Sequence, residues 1–496
     1  MNFNVLSLII FLPALGAIII ACISNSRAKL IKYIAAAFTL IPLILGIILF
    51  FNFDKSASMA GVIQFHQKAS WIPLINAYFD VGLDGISLPL FLLMDFLGFL
   101  VVLISWKIDL RPREYFAWLL LLETSILGVF ASLDILLFFI FWEIEVIPMF
   151  FLISIWGSGR KEYSALKYVL YTLFGSAMML AGILCLYFTT GSLSMVDIMQ
   201  HGIGSYSAVV PAALMFFLLL GGFAVKLPVF PFHTWLPDAH TDAPTAVSVV
   251  LAGALLKMGG YGMIRICVSF FPAVAHQYAP FILGFAVVNV IYGAAVTLKQ
   301  TDIKRLIAYS SISHMGFVLL GIFALTQVSM VGATMQMVSH GLITGLLFAT
   351  AGIVMHNTHE RDIAKLGGLA RQIPMITVIF TVAGLGAMGV PSTSGFIAEF
   401  MTFLGSFGST VLHARIFTVI AILGILMGAG YILWLLQRVF YGPPQDKFNG
   451  VHDADKLERV YSAVFIILIF TIGLYPSILT NIIKTGIAPI VHLIGG

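Results

Sequence analysis

Long apolar runs, separated by short basic stretches or by glycine and proline, fill the chain from one end to the other. A helix rises about 1.5 Å per residue, so about 20 residues cross a hydrocarbon layer of about 30 Å. Fourteen runs reach that length, at approximately 3–23, 30–51, 83–105, 114–131, 133–156, 165–188, 209–236, 244–270, 278–298, 302–324, 329–355, 374–408, 413–440 and 458–484. The predicted fold class is therefore all-α, a polytopic membrane protein of about 14 transmembrane helices. Only the stretch from Asp54 to Phe79 makes a substantial loop, and no soluble domain fits between the runs.

The polar residues between the runs are distributed unevenly. Arg27, Lys29 and Lys32 fall in the first connection, Lys107, Arg111 and Arg113 in the third, and Arg160, Lys161 and Lys167 at the fifth. Lys299, Lys304 and Arg305 flank the ninth, Arg361, Lys365 and Arg371 lie in the eleventh, and Arg438, Lys447, Lys456 and Arg459 surround the thirteenth. The alternate connections hold only Lys55, Lys68 and Arg415. Basic residues mark the cytoplasmic side, so both termini are expected outside, and one missed span would scramble the alternation.

Two runs are interrupted. The seventh contains Lys226-Leu227-Pro228 and then Pro231; the twelfth contains Gly389-Val390-Pro391-Ser392-Thr393-Ser394-Gly395. Proline removes an amide donor and clashes with the preceding turn. The freed groups are tolerated at membrane depth only where protein or a polar cavity satisfies them. Breaks at corresponding places in two halves point to two inverted five-helix repeats, spans 4–8 and 9–13, with discontinuous helices 7 and 12. The plain alternative is two proline kinks. The expected organisation is 1–113 for helices 1–3, 114–275 and 276–441 for the repeats, and 442–496 for helix 14.

Composition narrows the solvent. Hydrophobic residues make up 60% of the 496 and charged residues 10%, against about 25% charged in a soluble domain, with a mean hydropathy of +1.04. Such a surface must face hydrocarbon. The net charge of +4 comes from the short basic loops and has no basic stripe to suit nucleic acid. Cys22, Cys185 and Cys267 lie far apart in apolar runs without metal-ligand spacing, so neither iron–sulfur nor zinc is expected. Ile19-Ile20-Ala21-Cys22 loosely resembles a lipoprotein cleavage site. Met1-Asn2-Phe3-Asn4 offers no positive lead, however, so the first run reads as an uncleaved helix.

Against this background a few side chains are out of place. Glu143, Glu145, Lys226, Lys257, Arg265, His314, His340 and Glu399 lie inside apolar runs, where an ionisable group costs about 2.5–3.5 kcal/mol on insertion scales. Burial weakens a lysine's hold on its proton and a nearby carboxylate restores it, so a lysine with a movable partner can carry protons. The expected order pairs Glu143 with Lys226, passes the proton to Lys257, bridges by water at His314 and His340, and delivers it outward at Glu399. The two histidines equally suit interhelical hydrogen bonds. Arg265 suits snorkelling or helix fixation. Glu145, two positions from Glu143 and so on nearly the opposite face, reads as structural. Asp84 and Asp95 suit helix-packing polar contacts and stay unassigned.

Gly384-Leu385-Gly386-Ala387-Met388-Gly389 satisfies the dinucleotide pattern GxGxxG, but it lies within a membrane run and lacks the strand and acidic residue that binding needs. Glycines there serve close helix approach. His356-Asn357-Thr358-His359 has no further ligands and is not a metal site.

Phe232-His233-Thr234-Trp235-Leu236-Pro237-Asp238-Ala239-His240, continuing through Ala243-Pro244-Thr245 to Leu256-Lys257-Met258-Gly259, resembles the signature of the antiporter-like membrane subunits of respiratory complex I. Asp302 to Gly316 (DIKRLIAYSSISHMG) is a second such block; Trp142-Glu143 with Pro148, and Ser394-Gly395-Phe396 with Glu399, add two more. The resemblance covers nearly the whole chain. The plan is shared by the L, M and N subunits of proton-pumping NADH–quinone oxidoreductase, by Mrp-type cation/proton antiporters and by membrane-bound hydrogenases. The M type is most similar, since it carries glutamate in the broken twelfth helix, as at Glu399, where L and N usually have lysine. Ser392 departs from the family pattern, which often has glycine after the proline, and Glu145 stands where an apolar residue is expected.

The resemblance implies proton transfer through Glu143, Lys226, Lys257 and Glu399, with His233, His314 and His340 supporting, driven by quinone reduction in other subunits. It implies no cofactor or metal in this chain; FMN, iron–sulfur clusters and quinone are expected in partner subunits. It also implies L- and N-like neighbours in a bacterial cytoplasmic membrane. The rivals are a cation/proton antiporter subunit and an inert spacer; the costly buried charges argue against the spacer.

Overall fold

The computed structural model describes residues 5–206 and 210–495; the opening residues of the first run, Phe3 and Asn4, lie outside them. Among the described residues, twelve helices are long and apolar enough to cross a membrane, among them Ser87–Lys107, Lys161–Thr190, Thr245–Val268, Gln327–Thr358 and Ala414–Val439. Shorter apolar helices occupy Val5–Ala21, Ala212–Lys226 and Pro374–Ala387. The outer helices are apolar on the side that faces away from the protein. Leu166, Leu170, Leu173, Phe174, Leu184 and Phe188 on Lys161–Thr190 are exposed, as are Ile416, Val419, Leu423 and Leu426 on Ala414–Val439. Spacings of three and four residues put each set on one face, which only hydrocarbon would solvate.

The chain forms two compact units. The first runs to Leu227 and adds Ala254–Ala279 and Asn481–Gly496; the second is Pro228–Gly253 with Pro280–Thr480. In the first, Ala212–Lys226 lies against Lys161–Thr190 and Leu256–Gly262, while Val5–Ala21 lies against Pro112–Ala131. The former contact is close because glycines meet: a Cβ on Gly222 would lie 2.8 Å from Gly175 O. In the second unit Gln327–Thr358 is almost wholly buried and packs on Ser394–Phe407, Ile303–Phe323, Pro374–Ala387 and Thr245–Val250.

Both expected breaks are present. Ala212–Lys226 stops before Pro228, and helix resumes at Trp235–Asp242. The backbone between is not left bare: Asn289 accepts from the Phe230 amide (2.7 Å) and donates to Pro228 O (3.3 Å) and Ile312 O (3.1 Å). Pro374–Ala387 stops before Pro391 and helix resumes at Ser394–Phe407. There Val390 N bonds Leu385 O, and the Thr393 amide and hydroxyl both reach Val390 O. Gly389 and Ser392 take positive φ values of 65° and 81°.

The two units repeat one loop closure. In the first, Ile135 N bonds Leu193 O and Met195 N bonds Leu133 O, both at 2.8 Å. In the second, Ile303 N bonds Arg361 O (3.1 Å) and Ile363 N bonds Thr301 O (2.7 Å). Each of the four positions is shifted by the same 168 residues. The helix starts match too: Asp134 caps Ile135–Ile144 and Asp302 caps Ile303–Phe323, and such caps contribute about 1 kcal/mol each.

Two expectations need correction. The long loop carries an antiparallel hairpin, Gln64–Ile72 with Ala77–Leu83. The last run, 458–484, is not one helix: Pro476 divides it into Lys456–Leu474 and Ser477–Ile494. The second piece packs its Gly486 against the Gly85-Ile86 backbone, and its Thr485 hydroxyl bonds Ser58 at 2.7 Å.

Substituting Ser392→Gly removes a side chain from a left-handed backbone position and should stabilise the protein by about 1 kcal/mol. Gly389→Ala should destabilise it by at least as much, because a Cβ there meets the Glu399 carboxylate. Thermal unfolding of the purified membrane complex in detergent checks both; equal midpoints for the three proteins would refute the strain.

Candidate functional site

In the first unit Lys226 is the last residue of its helix, where the dipole favours a cation. Its side chain is 1% exposed and forms an ion pair with Glu145, which is fully buried. Tyr168 donates to Glu145 Oε2 at 2.5 Å and accepts from Lys226 Nζ at 3.3 Å. The ammonium also lies 5.4 Å from the centroids of the Trp142 and Tyr168 rings, a distance at which a cation is drawn to the ring face. A charge taken out of water needs such complete compensation, because the desolvation cost is several kcal/mol per ion.

The expected partner was Glu143, and the structure corrects it. Pro148 has no amide to offer Ile144 O, and the helix is interrupted there, as Ile135–Ile144 followed by Val146–Trp156 with Glu145 at the junction. Glu145 is fully buried there and Glu143 half-buried. Glu143 Oε1 is buried and without a hydrogen-bond partner, and the Lys226 charge reaches it as well.

Lys257 is fully buried. It stands in the short α-helical stretch Leu256–Gly262 between two π-helical segments, Leu251–Leu255 and Met263–Val268; wide turns of that kind recur at functional sites. Gly259, half a turn on, lies against Leu227 N and Phe223 O, each 2.7 Å from where a Cβ would be, so this helix presses on the end of the Lys226 helix. Arg265 does not snorkel: it is buried, ion-paired with Asp84, and donates to Tyr261 Oη at 3.3 Å. Asp84 in turn accepts from the Ile86 and Ser87 amides, so the pair fixes one helix to the start of another. Asp95 is buried near Glu123, a second buried carboxyl that the sequence reading passed over although it interrupts the run 114–131.

In the second unit, His314 Nδ1 lies 3.5 Å from Glu399 Oε1 and 3.3 Å from Gln336 Nε2. The His340 ring is 5.6 Å from that of His314, and Thr344 Oγ1 lies 3.4 Å from His340 Nδ1. All five are buried. His233 lies elsewhere in this unit, stacked on Phe230 with Nε2 3.3 Å from Tyr292 Oη. His240 is a further buried histidine, stacked flat on Phe348 at 4.6 Å. Outside the apolar layer, the Asp362 and Arg361 amides hold the Glu360 carboxyl below its usual range. Among the described residues no group of three or more His, Cys, Asp or Glu side chains could hold a metal ion.

The model of the family described as "NADH:quinone oxidoreductase/Mrp antiporter, TM" matches residues 132–428. NADH-quinone oxidoreductase subunit M of Rhodobacter capsulatus is 37% identical, covering 99% of this chain and 96% of its own. The chain belongs to this family. A member in the structure of respiratory complex I from Thermus thermophilus with bound NADH superposes at a TM-score of 0.89 with 26% identity, covering 100% of both chains. A chain of the Mrp complex from Dietzia sp. has the same fold, at a TM-score of 0.86 and 18% identity over 100% of both chains.

A charge buried in the membrane needs its partner, so cutting one partner should cost more than cutting both. Arg265→Leu leaves Asp84 buried and uncompensated, with an expected loss of about 3–5 kcal/mol; adding Asp84→Asn should restore most of it. Heat-induced loss of the assembled complex on native gels measures the difference. A double variant no better than the single one would rule out the ion pair as the cause.

Proposed function

We propose that the chain is a proton-translocating membrane-arm subunit, of the M type, in a respiratory NADH–quinone oxidoreductase. The observation that carries this reading is full-length similarity to a subunit of that name, together with ionisable groups buried in each unit. The Mrp likeness, at 18% identity, speaks for fold alone, so exchange of sodium for protons is the weaker reading.

In this reading the chain performs no electron transfer. Quinone reduction in partner subunits supplies the energy, about 2.3 kcal/mol for each charge moved against 100 mV. Lys226 takes up and releases a proton as its carboxylate partners draw near or withdraw, Lys257 accepts it, and His314, His340 and Glu399 carry it onward, with His233 in support. Glu143 belongs to the first station. Spans 4–8 and 9–13 are the two inverted repeats, an assignment that the shared loop closures and the two helix breaks support. The partners are L- and N-like subunits in a bacterial cytoplasmic membrane, both termini of this chain outside; FMN, iron–sulfur clusters and quinone reside in neighbours.

Inverted membrane vesicles carrying Lys226→Ala or Lys257→Ala in the assembled complex test this. NADH-driven acidification, normalised to complex content, should fall at least ten-fold in each. Undiminished acidification in both would remove the transport role from this chain.

A further inference from the structure

The proton path expected from the sequence uses one carboxylate, Glu143, beside Lys226, yet the protein provides two. We propose that Glu145 is the resident counter-ion of Lys226, and that Glu143 is the alternate carboxylate to which the lysine turns when it leaves Glu145. This rests on the transport reading above and adds a positioning residue to it.

Three observations carry the proposal. First, Glu145 is fully buried, directly ion-paired with Lys226, and accepts the Tyr168 hydroxyl, so it is held in place from two sides. Replacing a buried ion pair by apolar side chains of similar size is often neutral or stabilising, so packing alone does not account for the Glu145–Lys226 pair. Second, Glu143 is half-buried with one oxygen unpartnered. A lysine side chain with four rotatable bonds can turn between carboxylates two residues apart, and the Lys226 charge reaches both Glu145 and Glu143.

Third, the second unit builds the same station with its charges exchanged. Shifting by 168 residues, as the loop closures require, carries Tyr168 onto Gln336 and Glu145 onto Ser313, next to His314. Both units then hold a polar triad, with Lys226 ending the helix before its break and Glu399 on the helix after its break. In the first, Glu145 and the broken-helix Lys226 meet at the Tyr168 hydroxyl. In the second, the Gln336 amide lies 3.3 Å from His314 Nδ1, which lies 3.5 Å from the broken-helix Glu399. The acid stands before the break in one unit and on the broken helix in the other. Glu143 has no such counterpart, since the same shift carries it onto Ser311, whose hydroxyl is spent on Ile307 O.

The titratable groups around Lys226 are few. Glu145 and Glu143 face it from the interrupted helix and Tyr168 from Lys161–Thr190; Lys257, Tyr261 and Arg265 stand on the segments packed beside it, Arg265 already tied to Asp84. Removing the Glu145 charge therefore leaves Glu143 as the nearest anion. The ammonium then loses the anion with which it is directly ion-paired.

The test is the pH profile of NADH-driven proton uptake by vesicles bearing the assembled complex. Glu145→Gln should move the alkaline limb down by about one pH unit or more, the effect of an opposite charge at close range, and Glu145→Asp should return it. Glu143→Gln should lower the rate while leaving the limb near its native place. A limb unmoved by Glu145→Gln but moved by Glu143→Gln would overturn the proposal, with Glu143 the resident partner. If Glu145→Gln fails to assemble, Tyr168→Phe serves, because it removes only the hydroxyl that Glu145 accepts: a smaller shift in the same direction supports the proposal and an unmoved limb overturns it. Uptake that survives Lys226→Ala would instead defeat the transport reading itself, whatever the Glu145 variants do.

Discussion

Everything polar in this protein is governed by the scarcity of water. An amide or an ionised side chain that leaves water for a hydrocarbon-like interior must find its partner within the protein. Asn289 meets that requirement for the first helix break, supplying an acceptor to Phe230 and donors to two carbonyls. Thr393 and the turn 385–390 meet it for the second. The charged side chains obey the same rule in pairs: Lys226 with Glu145, Arg265 with Asp84, and His314 beside Glu399.

Pairing also gives these groups their usefulness. A lone buried lysine sheds its proton and a lone buried carboxylate keeps one; only a group whose partner can move changes its affinity during a cycle. Interrupted helices are suited to provide such partners, because their ends are not locked into a continuous ladder. Lys226 stands at one helix end, Glu145 at another, and Glu399 six residues into the helix that follows the second break.

Much of this was legible in the sequence. Hydrophobic run length located the helices, proline and glycine located both breaks, and the oddity of a charge in an apolar run picked out Lys226, Lys257, His314 and Glu399. What was not legible depended on geometry that no periodicity encodes. The exchange of Glu143 for Glu145 turns on which helix face meets Lys226, and no sequence period says which face that is. The hairpin at Gln64–Ile72 was hidden by its mixed polarity. The final helix was merged with its predecessor because apolar residues run on across Pro476. Tyr168 and Gln336 gave no signal at all, for an uncharged polar residue in a helix is commonplace.

The paired loop closures act as a ruler. Each clamps the start of a helix with two backbone bonds and an aspartate cap, at Ile135 in one unit and at Ile303 in the other. Counted from its clamp, Glu145 is ten residues along and His314 eleven, a rise of about 15 Å and about 17 Å at the helical pitch. That is half of a hydrocarbon layer about 30 Å thick. Depth in the bilayer is thus set by counting from a fixed origin, so a one-residue insertion between Asp134 and Glu145 would turn the carboxylate about 100° around its helix and away from the ammonium it faces.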